Sequence, residues 1–280
     1  MKKIFILTLV ALSCVSCAVS AVIHNRQLWG TGTHDIRNCL ELTEKNKRQS
    51  IAVWGKYLIS SHLNGVLYLY DLETKSLITQ ATIPVSSSIL STIHGSNVSF
   101  GVEFFNGNTI PVIYVCETTG EHRCFVVDLR MDGSITLVQT ITFSGTWGTG
   151  KDYRDFIVDS QHRKLWIVGY YNYHSSDNHM ICKEVKLRSI DAPTIDYQDS
   201  DVIDTFTVDS ITVIQGCFIK DNHLFVGDQN DRIVNIDLHA HKIVGHIDCS
   251  PYTKELEGIA AYQKEMLVDL DGTIKAFIFN

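Results

Sequence analysis

Five polar residues stand where chemistry would be expected. Gln49, Asn97, Asp155, Gln215 and Glu257 each lead a short apolar run, such as Ser50-Ile51-Ala52-Val53, Phe156-Ile157-Val158 or Gly258-Ile259-Ala260-Ala261. Brought together around one axis, they supply carboxylate and amide oxygens from separate segments, the donor type that a hard divalent cation such as Ca²⁺ prefers. Asn97, Asp155 and Glu257 are the expected metal ligands. The same ring can instead be structural, capping strand ends by exchanging hydrogen bonds with neighbouring backbone groups. Three more side chains suit ligand contact. His94 precedes Asn97 in a His-Gly-Ser loop; Trp147 sits in the glycine-rich run Gly145-Thr146-Trp147-Gly148-Thr149-Gly150, where it is expected to be exposed; and Tyr171 belongs to the aromatic cluster Tyr170-Tyr171-Asn172-Tyr173-His174. Aromatic faces of this kind can stack on sugar rings. The glycine run is no phosphate loop, because it lacks the Gly-Lys-Ser/Thr ending and no helical pattern follows it. The expected ligand-binding set is therefore Gln49, Asn97, Asp155, Gln215, Glu257, His94, Trp147 and Tyr171, with no catalytic residue assigned.

The elements that must position these residues are strands. Apolar, β-branched runs of four to eight residues recur along the chain, broken by Asn-Gly, Asp-Gly and Asp-Asn pairs. No long stretch keeps a helical period, which predicts an all-β fold. Self-comparison shows a repeat. Nine residues after Gln49, Gln215 and Glu257 an apolar residue opens the next run (Leu58, Leu224, Met266), and 22 residues after the two glutamines stand Asp71-Leu72 and Asp237-Leu238. Two looser copies begin at Asn97 and Asp155, so unit starts are spaced 48, 58, 60 and 42 residues apart. A repeat of this length holding four strands is the signature of a β-propeller blade. The expectation is five blades of four-stranded antiparallel sheet, with room for a sixth left open in the long units at 97–154 and 155–214. The last unit has residues for only three strands, so its fourth is expected from 22–44, closing the ring by pairing the N- and C-terminal segments and leaving no free edge.

Composition sets the context. The chain has 280 residues, 24 Lys and Arg against 31 Asp and Glu, and a formal charge of −7. This balance argues against a nucleic-acid partner, which would require surplus cations facing phosphate. Lys2 and Lys3, the apolar run Ile4–Leu12 and the small-residue end Val19-Ser20-Ala21 read as a signal peptide over 1–21, too short in its apolar part to span a bilayer. Leu12-Ser13-Cys14 and Val15-Ser16-Cys17 are loose lipobox patterns, so free secretion and membrane attachment through an N-terminal lipid both stand as readings of this leader. Residues 22–280 are expected to form a single propeller domain in an exported, monomeric protein of the periplasm, cell surface or medium. Among the six remaining cysteines, Cys116 and Cys124 flank a turn-like Thr-Gly-Glu segment and are the pair expected to face one another across a hairpin.

Glu257-Gly258-Ile259-Ala260-Ala261-Tyr262 and Val66-Leu67-Tyr68-Leu69-Tyr70-Asp71-Leu72 resemble the blade wording of secreted or lipid-anchored bacterial propellers, and more distantly the propeller modules of teichoic-acid and phage receptor-binding proteins. The resemblance covers roughly residues 45–280 and implies a fold far better than a function. It leads to the expectation of a non-catalytic binding module for an extracellular glycan or protein. The alternative is a hydrolase working in the central channel. Asn97, Asp155 and Glu257 resemble in type the metal set of gluconolactonase-like propellers, where a metal polarises a carbonyl and activates water. Asp155 and Glu257, with Asp228 or Asp269, resemble the paired carboxylates of five-bladed glycosidases.

Overall fold

A computed structural model of the chain describes residues 34–43, 48–95, 97–117, 119–147, 153–171, 179–253 and 255–279, apart from the side chains at 34, 153, 171 and 279. The expected leader and its lipidation patterns lie outside these residues. Five antiparallel four-stranded sheets are arranged as a ring, a five-bladed β-propeller. Blade 1 comprises β2 (Arg48–Trp54), β3 (Tyr57–His62), β4 (Val66–Asp71) and β5 (Ser76–Thr82). Blade 2 comprises β6 (Val98–Phe100), β7 (Ile113–Cys116), β8 (Cys124–Leu129) and β9 (Ile135–Phe143). Blade 3 comprises β10 (Tyr153–Asp159), β11 (Lys164–Tyr171), β12 (His179–Lys186) and β14 (Val202–Val208). Blade 4 comprises β15 (Ile214–Lys220), β16 (His223–Asp228), β17 (Arg232–Asp237) and β18 (Lys242–Asp248). Blade 5 joins β19 (Leu256–Tyr262), β20 (Glu265–Leu270) and β21 (Thr273–Phe279) to β1 (His34–Glu41), which pairs antiparallel with β21 from His34↔Phe279 to Glu41↔Thr273. The closure expected from the short last unit is present.

Among the described residues the long units contain no sixth blade. In blade 2 the extra length is the excursion Gly101–Val112 between β6 and β7. In blade 3 it is β13 (Thr194–Tyr197), which leaves its own blade and pairs in parallel with β9, covering the outer edge of blade 2.

Each pair of neighbouring blades shares one apolar cluster, five in all. Strands between the inner and outer edges of a blade are thus buried on both faces, which explains sequences such as Leu67-Tyr68-Leu69-Tyr70. Leu67 and Leu69 pack toward blade 2, whereas Tyr68 and Tyr70 pack toward blade 5. Outer strands such as β5 and β18 are largely exposed.

The recurrent Asp-Leu that marks the repeat has a local role. Asp71 Oδ1 accepts from the backbone N–H groups of Glu73 (2.8 Å) and Thr74 (3.0 Å), and Asp237 Oδ1 does the same for His239 and Ala240 (both 2.9 Å). The following Leu N–H donates to Lys56 O in blade 1 and to Asn222 O in blade 4. Each Asp folds the turn into the outermost strand, so recurrence here reports turn chemistry.

Candidate functional site: the two ends of the central channel

The inner strands β2, β6, β10, β15 and β19 surround the axis, and the five polar leaders lie at or just before their N-terminal ends. Local register explains how three of them are aimed. The pairing skips between Arg48 and Ser50, between Ile214 and Gly216, and between Leu256 and Gly258. Gln49, Gln215 and Glu257 are therefore the extra residues of β-bulges, a device that redirects a side chain out of the pleat. Asp155 stays in regular register opposite Val168.

Asn97 is fully buried and works as a clamp between blades. Its Nδ2 donates to Phe156 O of blade 3 at 3.2 Å, and its Oδ1 accepts from Cys217 N of blade 4 at 3.0 Å. One amide thus ties three blades together across the axis. Gln49, half-buried, donates from Nε2 to the carbonyl of Arg48 at 2.6 Å. Gln215 is half-buried and Asp155 fully buried. Among the described residues, no group of three or more His, Cys, Asp or Glu converges as metal ligands.

Just below this ring the axis is closed. A Cβ on Gly258 would lie 2.7 Å from Ile51 N and 3.0 Å from Ser50 Cα, and one on Gly216 would lie 3.0 Å from Gly258 Cα. The inner strands of blades 4, 5 and 1 therefore touch backbone to backbone, which only glycine allows here.

The same end holds the most strongly perturbed acids. Glu257, 6% exposed, has its carboxyl pushed up to about 9 by burial and by Glu255, against the pull of Arg48. Asp269, fully buried, is raised to about 6 by burial even though Arg48 Nε (2.9 Å) and the Gly272 N–H (3.0 Å) both donate to its Oδ1. Desolvation outweighs one ion pair and one backbone bond. Asp228 is held by the Arg232 guanidinium, at 2.5 Å, and by the N–H groups of Asn230 and Arg232.

The opposite end is open and lined mostly by apolar side chains. Ala52, Phe100, Val158, Phe218 and Ala261, one from each inner strand, line a basin of about 110 Å³. At its edge Trp54 stacks on Tyr57 (6.1 Å between centroids, 9° between planes) and meets the edge of Phe104 at 5.9 Å, with Phe104 51% exposed. Trp54 and Tyr57 flank the β2–β3 turn, whereas Phe104 comes from the blade 2 excursion. This aromatic group did not emerge from the repeat, because the repeat aligned the polar starts of the inner strands. The signal available was a Trp at the other end of β2.

Among the side chains expected to contact ligand, His94 is exposed on the loop leading to Asn97. Tyr171's side chain and residues 172–178 lie outside the described residues. Trp147 requires a correction: it is only 4% exposed. Its Nε1 donates to Tyr170 O at 3.2 Å, its ring meets Phe143 edge-on at 5.9 Å, and the Arg154 guanidinium lies 5.4 Å from its centroid. A Trp that can bury its rings between two blades and still satisfy its N–H gains more from packing than from solvent. Cys116 and Cys124 are directly opposite on β7 and β8 and belong to the same inter-blade cluster as free thiols, with burial pushing the Cys116 thiol up.

No protein-family model matches the chain, and no curated protein matches it in sequence. Among solved structures, the glutaminyl cyclase of Myxococcus xanthus superposes over 88% of this chain and 97% of its own length, with a TM-score of 0.54 and 12% identity. The likeness is one of fold.

Proposed function

We infer that the protein is a non-catalytic recognition module for an extracellular ligand, and that a protein ligand is read at the apolar end of the channel. The observation that carries this reading is the basin shared by all five inner strands and edged by Trp54, Tyr57 and Phe104. An apolar depression with rigid aromatic walls suits an anchoring aromatic or aliphatic side chain, the usual centre of a protein interface. The polar end supports catalysis less well, because its Asn97 amide is committed to two backbone groups and Asp269 and Asp228 to arginines. Selection from a displayed peptide library, followed by calorimetry on the selected peptides, tests the reading. Peptides with one dominant apolar anchor are expected, with affinity lost in Trp54→Ala and kept in Glu257→Gln. Selected peptides that bind Trp54→Ala as tightly as the parent would refute it.

A second reading is favoured by the adjacency of Glu257 and Glu255 at the polar end, in a fold shared with a glutaminyl cyclase. There a neutral Glu257 would donate a proton to a departing amine, as hydrolysis or cyclisation of an amide requires. Turnover of a peptide with N-terminal glutamine by the parent, abolished in Glu257→Gln, would establish it. A metal screen of the purified parent tests the expected cation at Asn97, Asp155 and Glu257.

The expected export, lipid attachment and monomeric state join this reading as proposals. Fractionation of the source cells tests the first two, and light scattering tests the third.

A further inference from the structure

The interface between blades 3 and 4 is apolar over most of its height and turns polar where it reaches the face bearing the basin. On blade 3, Trp166, Glu184 and Asp204 are cross-strand neighbours on β11, β12 and β14, so they form one row on the face turned toward blade 4. Asp159 and Lys164 flank that row, and Asn222, His239 and His241 approach it from blade 4. Together they line a groove of about 180 Å³. Lys164 Nζ bridges Glu184 (2.9 Å), and His241 Nε2 meets Asp204 Oδ2 at 2.8 Å while its ring stacks on Phe206 (4.4 Å, 8°). Trp166, 2% exposed, lines this groove, and its buried Nε1 has no acceptor among the described residues.

We propose that this groove is a binding site for a neutral polyol, a single hexose unit in size. Three carboxylates disfavour an anion, and Lys164 with the histidines disfavours a simple cation. The groove therefore presents donors and acceptors side by side. Sugar hydroxyls match such a lining because each donates and accepts at once: they can donate to the second lone pairs of Asp159 and Glu184 while accepting from Trp166 Nε1 and the remaining Lys164 protons. The indole N–H is the decisive element, because a buried donor without an acceptor costs stability that a ligand oxygen would recover on parting the side chains that cover it. The site is independent of the channel basin, with no lining residue in common.

The test is saturation-transfer NMR and calorimetry with glucose, galactose, mannose and N-acetylglucosamine on the parent chain, Trp166→Phe, Glu184→Gln and Trp54→Ala. At least one sugar should bind saturably with a dissociation constant of about 1 mM. Affinity should drop about ten-fold or more in Trp166→Phe and Glu184→Gln, the loss of one hydrogen bond to a charged or otherwise unpartnered group, and stay unchanged in Trp54→Ala. If Trp166→Phe does not fold, Glu184→Gln and Asp204→Asn, which preserve shape, decide the matter. Absence of saturable binding by every sugar, or binding indifferent to the groove substitutions, overturns the proposal. Loss of peptide binding in Trp54→Ala with sugar binding intact would separate this site from the channel reading.

Discussion

The two ends of the central channel are built from the same five inner strands, yet one is closed and the other open. At the N-terminal ends of the strands, bulges, the Asn97 clamp and the Gly216–Gly258 contact draw the blades together until backbone meets backbone. At the C-terminal ends the same strands diverge around apolar side chains and leave a basin. Polarity concentrates at the closed end because hydrogen bonds are what hold five strands around one axis there. At the closed end buried polar groups therefore mark where the ring is tied, and at the open end a cavity marks where something else fits.

Substitutions at the two ends should separate these roles. The largest effect is expected from Gly258→Val, which places a branched side chain within 2.7 Å of Ile51 N. Overpacking against backbone cannot relax cheaply, so a loss above about 3 kcal/mol is expected by urea denaturation. A fully stable variant would mean that the axis is not closed there.

The next effect depends on pH. Glu257 has a folded-state value of about 9 against an ordinary 4.5, so the folded protein holds this proton more tightly than the unfolded chain. Its contribution to stability is complete below pH 4.5 and disappears as pH rises through about 9. Asp269 adds a narrower window, from 3.8 to about 6. Glu257→Gln, neutral at every pH, should be more stable than the parent at pH 8 by several kcal/mol and nearly equal to it at pH 4. Melting curves at the two pH values check this, and a parent whose stability is level between pH 5 and 9 would contradict it.

Asn97→Ala should cost about 2 kcal/mol, because it strands a buried carbonyl and a buried N–H on two blades. Asn97→Asp should be no better, since a carboxylate cannot donate to Phe156 O. At the open end the ranking reverses: Trp54→Ala should cost less than about 1 kcal/mol in stability, as the ring is half-exposed, while removing peptide binding. A large destabilisation by Trp54→Ala would erase the contrast between the two ends.

Much of this architecture was legible in the residues. The offsets from Gln49, Gln215 and Glu257 located three inner strands, and the looser copies at Asn97 and Asp155 located the other two. The short final unit located the closing strand between 22 and 44. These features are local: turn pairs, alternating runs and the Asp that folds each outer turn act within a few residues of one another. The repeat also placed five polar residues at one end of the channel, but it could not say what their side chains touch. Asn97 meets residues 59 and 120 positions away in the chain. Its glycine neighbours point to an exposed Trp147, but two blades converge on it and bury it.

The sequence by itself determined the repeat, the four-stranded unit and the way the ring closes, because each follows from conformational preferences and hydrophobic patterning within a single unit. The tertiary structure decided the rest: that Asn97 meets the backbone of two other blades, that Trp54 and Phe104 meet across two blades, and that Trp166 lines a groove with three carboxylates where blades 3 and 4 adjoin. Such partnerships form between units, where distance is set by how the blades pack, and no periodicity within one unit encodes them.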